Sequence, residues 1–364
     1  MIILAIRRLV AATLISCVVT AAAHGSTTLV PATSDGSGLN VTIPVFDPGI
    51  PADPSVFRDL QVFPRIRQIE AKLMPFLLRE TLVESEQWGA VRVTTKPDTK
   101  DELQIFGTIL RSDGDWLELR IRVIDATGIT WLDKVFSSAA NADTNLSARD
   151  RGTPEFQAIY REIATELAGL RNQLDIATVA SIKGTSLMRY AIELAPSAFN
   201  DYLEQDEDGT FQLLRLPARN DPMLIRIERV RNTEFIITDT VDAKFREFNT
   251  DLARTYRVWR EYRRKVADYE AWNTEFATTR GEDLERGSWE SIKHQYDAYK
   301  YDRQTAQERD RLAVAFNNEV EATVAAMEDR VAELNGWVEQ GYPEWNRLLE
   351  GLYEVETSIL EQGN

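Results

Sequence analysis

The sequence predicts an α+β protein, with an N-terminal two-layer α/β head followed by an all-α long antiparallel coiled-coil hairpin. Three observations carry this. Residues 41 to 172 alternate short apolar runs with turn residues, while residues 223 to 280 and 288 to 335 contain neither glycine nor proline. Between those two runs lies Arg280-Gly281-Glu282-Asp283-Leu284-Glu285-Arg286-Gly287, a charged turn with a glycine near each end. A helix of about 55 residues spans roughly 80 Å, more than the width of a compact domain. The second half should therefore be a rod.

The chain begins with an apolar hexad, Arg7-Arg8, and an apolar, small-residue stretch ending in Ala21-Ala22-Ala23 before His24. This is the pattern of a secretory signal peptide over residues 1–23. Leu14-Ile15-Ser16-Cys17 also resembles a bacterial lipobox, which makes lipidation at Cys17 the alternative to simple cleavage. Cys17 is the only cysteine. A mature chain cleaved after it has no disulfide, no thiolate nucleophile and no cysteine metal site. Residues 24–40 are rich in Ser, Thr and Gly and read as a flexible tether.

The head spans 41–172. Val41 to Phe46 reads as a strand whose proline marks an edge or a strand end. A helix follows over Phe63 to Trp88, with Ile66, Ile69, Leu73, Phe76, Leu77 and Leu82 on one face. Strands are expected at Ala90 to Thr94, Leu103 to Leu110, Trp116 to Ile124 and Ile129 to Phe136. The Asp113-Gly114 and Thr127-Gly128 turns join the last three. Pro154 opens a helix through about Leu170. With helices on one sheet face, this order makes two layers.

Residues 173–220 form a helical and irregular connector, with a helix to Leu194 that Gly184 could interrupt. Asp221-Pro222 is a helix start: the aspartate caps free amides and proline fits the first turn. The hairpin spans 221–340 with its turn at 280–288. Phe245, Leu252, Trp259 and Val266 recur every seven residues on the first arm, and Ile292, Tyr299, Ala306 and Ala313 begin such a seam on the second. Trp289 and Tyr296 belong to its companion seam. Sustained period seven argues for left-handed coiled-coil packing; the alternative is a pair of ordinary amphipathic helices lying on a globular core. A turn centred near Leu284 sets Tyr269 against Tyr299, Val241 against Met327 and Trp259 against Asp310. Gly341-Tyr342-Pro343 then breaks the chain. A last helix within 341–364 carries Trp345, Leu348, Leu349, Leu352, Val355 and Ile359 on one stripe, packed on the rod base or exposed for docking.

The run Val41 to Phe46, the helix at Phe63, Phe106-Gly107-Thr108-Ile109-Leu110 and Val123-Ile124-Asp125-Ala126-Thr127-Gly128 together resemble the small α/β modules of envelope proteins. The similar families are the TolB amino-terminal domain and curli-secretion-type lipoproteins. The resemblance covers the head alone and implies a role in assembly or protein contacts. The helical half resembles neither family.

Acidic residues number 58 against 42 basic, for a net charge of −16. Cleavage after Ala23 removes two arginines and makes the balance more negative. Such a surface argues against binding nucleic acid. Arg257, Arg260, Arg263, Arg264 and Lys265 are a local exception. They read as a solvated helix face with cross-arm pairs such as Arg260 with Glu308, or as a contact for an acidic partner. The two histidines, His24 and His294, leave no His-cluster metal site, and no glycine-rich phosphate loop is present. No catalytic residue, cofactor or metal is expected. A two-carboxylate hydrolase is the weakest alternative.

The expected function is therefore a non-enzymatic exported bacterial envelope protein, a scaffold or adaptor whose head and rod mediate assembly with envelope protein partners. A homo-oligomer is also open, and membrane association requires a lipidated Cys17. The candidate interaction residues are Arg257, Arg260, Arg263, Arg264, Trp345 and Leu352. The alternative is a periplasmic binding module for cell-wall glycan or a small ligand, with the rod as spacer. Location is periplasmic or secreted, or the outer membrane if lipidated. Amino-terminal sequencing of protein from its native host should find a mature terminus at or near His24. A diacylated Cys17 at the terminus would instead establish the lipoprotein.

Overall fold

The computed structural model describes residues 38–57, 60, 62–113, 116–139, 156–218, 220–279 and 289–362, and for part of the last two helices only the backbone. The signal region with Cys17, the tether up to residue 37 and the 280–288 turn lie outside the described residues. The fold is mixed α/β. Strands β1 (Val41–Pro44), β2 (Val91–Thr94), β3 (Leu103–Ser112), β4 (Trp116–Asp125) and β5 (Thr130–Ala139) form one sheet in the order β2-β1-β3-β4-β5. β1 runs parallel to β2 and β3, and β3-β4-β5 is an antiparallel meander. Helix α1 (Pro64–Glu84) crosses from β1 to β2, and α2 (Gln157–Asn172) follows the meander.

Strand alternation decides which side is covered. Leu117, Leu119, Ile121 and Val123 of β4 join Val41, Ile43 and Ile105 beneath Leu78 and Leu82 of α1 and Ile159, Ile163 and Leu167 of α2. Pro44 sits at the end of β1, an inner strand, so its missing N–H marks a strand end. The edge is β2. Gly107 of β3 lies beneath the Phe46 ring, where a Cβ would come within 2.6 Å of ring carbons.

The connector is more ordered than its composition predicts. Helix α3 (Ile176–Leu194), short helix α4 (Pro196–Phe199), and a small hairpin of β6 (Leu203–Gln205) and β7 (Phe211–Leu213) fill it. Gly184 does not interrupt α3. It makes room for Leu213 of β7, whose Cδ2 lies 2.6 Å from where a Cβ would be.

Helix α5 (Pro222–Thr279) is 58 residues long and α6 (Trp289–Gln362) is 74. Asp221 caps α5 as expected, its Oδ1 accepting from the amides of Met223 at 2.8 Å and Leu224 at 3.0 Å. The part of α5 nearest the head is seated on it. Val241, Phe245, Phe248 and Trp259 share one buried cluster with Ile66, Ile69, Leu73 and Phe76 of α1, Val93 of β2, and Val331 and Leu334 of α6. The period-seven residues of this stretch therefore pack on the head as well as on the neighbouring helix. Trp259 meets the Phe63 ring edge-to-face at 5.2 Å, a contact the seam register does not provide.

Two further expectations change. Gly341-Tyr342-Pro343 does not break the chain, because α6 runs through it. Proline in a helix interior costs about 3 kcal/mol. Here the flanking rings offset that cost: Tyr342 and Trp345 pack on the cluster formed by α3, α4 and the start of α5. At the other end of α6, the seam residues Trp289, Ile292, Tyr296 and Tyr299 are 77%, 51%, 63% and 60% exposed, so the expected cover is lacking there.

Replacing Phe245, which is 1% exposed, with alanine should cost about 3–5 kcal/mol of unfolding free energy. Urea melts followed by tryptophan fluorescence measure it. A loss below about 1 kcal/mol would mean that α5 is not held on the head by this ring.

Candidate functional site

The principal cleft opens where the edge of the sheet meets α3, α5 and α6. Its floor is Thr42 of β1 and Arg92 and Thr94 of β2, and its rim is the charged loop Thr95 to Glu102 that leads into β3. Tyr190 of α3, Arg231 and Glu234 of α5, and Asn335 and Glu339 of α6 supply the walls. The volume is about 280 Å³. Local turn chemistry positions the loop: Asp98 Oδ1 accepts from the Lys100 amide at 3.0 Å, and Asn335 Nδ2 donates to Thr95 Oγ1 at 2.8 Å.

Most charges on the rim are paired. Lys96 lies 3.0 Å from Glu339, and Lys100 pairs with Asp98 at 3.2 Å and with Glu193. The Lys100 ammonium also rests against the rings of Tyr190 and Tyr342, at 5.5 Å and 5.2 Å from their centroids. Arg92 pairs with Asp239 at 2.5 Å.

Asp101 is different. Burial and the neighbouring Asp98 charge push its carboxyl up to about 7, against the pull of Gln104, Thr42 and Arg231. Gln104 Nε2 donates to Asp101 Oδ2 at 3.2 Å. Glu234 is also shifted up by burial, opposed by a hydrogen bond from Tyr190 and by the charge of Lys100. Burial raises the phenols of Tyr190 and Tyr342 as well, with the nearby Glu234 charge adding to it. Asp101 is thus disposed to carry a proton near neutrality, Glu234 holds its proton more readily than an ordinary glutamate, and the phenols beside them stay neutral.

A second polar cluster lies between α1 and α5. Glu70 Oε1 accepts from Ser112 Oγ at 2.8 Å and from Tyr256 Oη at 2.9 Å. Arg260 Nη1 donates to Ser112 Oγ at 3.1 Å and lies 3.7 Å from Glu70, its guanidinium over the Phe156 ring at 4.6 Å. Arg67 stands 3.8 Å from Glu70 and donates to the Ile109 carbonyl at 3.3 Å. Burial and the Glu70 charge hold Tyr256 neutral, so it remains a donor. This cluster is enclosed and ties two elements together; it has no room for a substrate.

The structure redistributes the interaction residues expected from the sequence. Arg260 is 3% exposed and inside the protein, 3.7 Å from Glu70; the side chain of Glu308, its expected cross-arm partner, lies outside the described residues. The reason is its position one residue after Trp259, on the face of α5 that meets α1. The side chains of Arg257, Arg263 and Arg264, and that of His294, lie outside the described residues. Trp345 is partly buried against α3 and α5, whereas Leu352 is exposed at 43% beside exposed Leu348 and Val355. Among the described residues of that stripe, Leu349 alone is deeply buried, at 5%.

Sequence reasoning did not find the cleft. Its one local signal was the density of charge in Lys96-Pro97-Asp98-Thr99-Lys100-Asp101-Glu102 directly after a parallel strand. Arg231 and Glu339 come to it from far along the chain. Compared with protein-family models, with curated proteins and with solved structures, the chain matches none.

The Asp101 shift has a stability consequence. An unfolded aspartate titrates near about 3.9, so the folded state binds more protons as pH rises from there to about 7. The folded protein therefore loses stability across that window, and the loss is complete above it. Asp101→Asn should raise the melting temperature relative to the parent at about pH 8, with the gain vanishing near about pH 4. Thermal melts across that range check it, and a constant difference at all pH values would refute the assignment.

Proposed function

We propose that the chain is a non-enzymatic exported bacterial envelope protein, a scaffold or adaptor, with α5 and α6 acting as an antiparallel coiled-coil hairpin that presents a contact surface away from the head. The carrying observation is the exposure of Trp289, Ile292, Tyr296 and Tyr299. Their spacing of three and four residues puts them on one stripe of α6, the pattern of a seam made to meet another helix. Exposed aromatic rings gathered on one face are a mark of protein contact sites.

Three further points support the reading. The lengths of α5 and α6 correspond to roughly 87 and 111 Å of helix. The reading takes over the expected resemblance of the head to small α/β envelope modules, which implies protein contacts. The amino-terminal pattern is that of an exported chain, and among the described residues no helix is long and apolar enough to cross a membrane. The periplasm, or secretion from the cell, is the location this reading requires.

A photo-crosslinking amino acid at Tyr299 tests the proposal in intact cells of the native host, with the same group at exposed Ile129 of the head as control. Position 299 should give a discrete crosslink to an envelope protein, or to a second copy of the chain, that position 129 does not. Exchanging Trp289, Ile292 and Tyr296 for glutamate should abolish it while leaving the thermal melt unchanged. Equal labelling at both positions, or labelling that survives the glutamates, would contradict the proposal.

A further inference from the structure

The cleft contains one cation that the protein leaves without a carboxylate partner. Arg231 Nη2 donates to Ser186 Oγ at 2.6 Å, and the guanidinium is held between the rings of Tyr190 and Phe235, with centroids at 5.5 Å and 5.2 Å. Among the described residues no acid stands within ion-pair distance of it. The contrast with its neighbours is direct, since Arg92, Lys96 and Lys100 all have carboxylate partners. A guanidinium fixed by two rings and one hydroxyl loses little freedom when it binds, and its planar fork matches a carboxylate.

Among the described residues, neither of two acids lining the same cleft has a basic group within ion-pair distance. Asp101 is half-buried on the rim and held by the amide of Gln104, and Glu234 follows Arg231 by one turn of α5, accepting from Tyr342 Oη at 3.4 Å. Buried carboxyls of this kind are stabilised in their charged form by an incoming cation. The cavity, at about 280 Å³, is near the lower end of small-molecule pockets. It has room for a ligand of amino-acid to dipeptide size.

We propose that this cleft binds a small zwitterion of the α-amino acid or dipeptide class, its carboxylate on Arg231 and its ammonium on Asp101 and Glu234. The site is independent of the exposed stripe on α6, so it adds a ligand-binding activity to the scaffold reading. The proton on Asp101 then has a consequence. The ammonium requires the ionised acid, so affinity rises with pH through the range where Asp101 titrates, until the ligand amine itself loses its proton.

Isothermal titration of the full mature chain with L-alanine, L-alanyl-L-alanine, L-glutamate and L-lysine, each at concentrations up to about ten times a millimolar dissociation constant, tests the proposal. At least one should bind at a single site. Its N-acetyl form and its carboxamide form should each bind at least about tenfold more weakly, the loss expected when a charged hydrogen bond is removed. Arg231→Gln and Asp101→Asn should reproduce those two losses separately, and Arg120→Gln, at an exposed pair with Asp133, should bind as the parent does. Failure of all four probes to bind would overturn the proposal. So would equal binding of the capped forms. The capped ligands are tried on the unaltered protein, so the test stands even where a variant fails to fold.

Discussion

The seating of α5 on the open edge of the sheet is the constraint on which the rest of the structure depends. An edge strand presents unpaired amides and invites another chain to add to it. Here β2 is short, and Asp242 of α5 accepts from the Val93 amide at 3.0 Å. Asp242 is itself held by Arg79 of α1 at 2.9 Å and Arg246 at 3.6 Å. Burial pushes its carboxyl up while those arginines and the amide pull it down. Further along α5, the Glu70, Tyr256, Ser112 and Arg260 cluster repeats the tie, with the apolar residues Val241, Phe245 and Phe248 in the same seat. The edge is covered by a helix, and the helix is fixed in rotation by two sets of buried charges.

That fixed rotation places the functional surfaces. One turn toward the start of α5 from Asp242, Arg92 pairs with Asp239 and lies over the Phe235 ring at 4.7 Å. Phe235 in turn holds Arg231, so the edge contact and the cleft are built on consecutive turns of one helix. α6 completes the same wall through Asn335 and Glu339, and its Tyr342 backs Lys100. Farther out, the exposed apolar residues of α6 are free to meet another surface because the head lies elsewhere along the helix. The head-proximal part of the two helices is thus a structural seat and a wall of the cleft proposed to bind a ligand, and the outer part of α6 is the contact surface in the proposed scaffold.

The head was legible because its cues are local. The alternation in Trp116 to Ile124 distinguishes the covered side of β4, and Asp221-Pro222 marks the α5 start to the residue. The seat of α5 was not legible. A period of seven at Phe245, Leu252 and Trp259 specifies a stripe but not which element covers it, and α1 competes with α6 for the same rings. Arg260 in a run of basic residues has the look of a solvated face, and Glu70, Ser112 and the Phe156 ring, all far away in sequence, help to make its burial tolerable. Gly341 and Pro343 read as a break because the local cost was visible and the packing of Tyr342 and Trp345 was not. The cleft was hidden for the same reason, since Asp101, Tyr190, Arg231 and Glu339 come from four segments.

The central claim is that buried charges fix α5 on the head, and a double-mutant cycle on Glu70 and Arg260 measures it most directly. Glu70→Gln, Arg260→Met and the double variant would be unfolded in urea alongside the parent. Each single change strands a buried partner and should be strongly destabilising, while the double change should cost less than their sum by at least about 1 kcal/mol. Additivity within about 0.5 kcal/mol would show that the two groups act independently and that α5 is held in some other way.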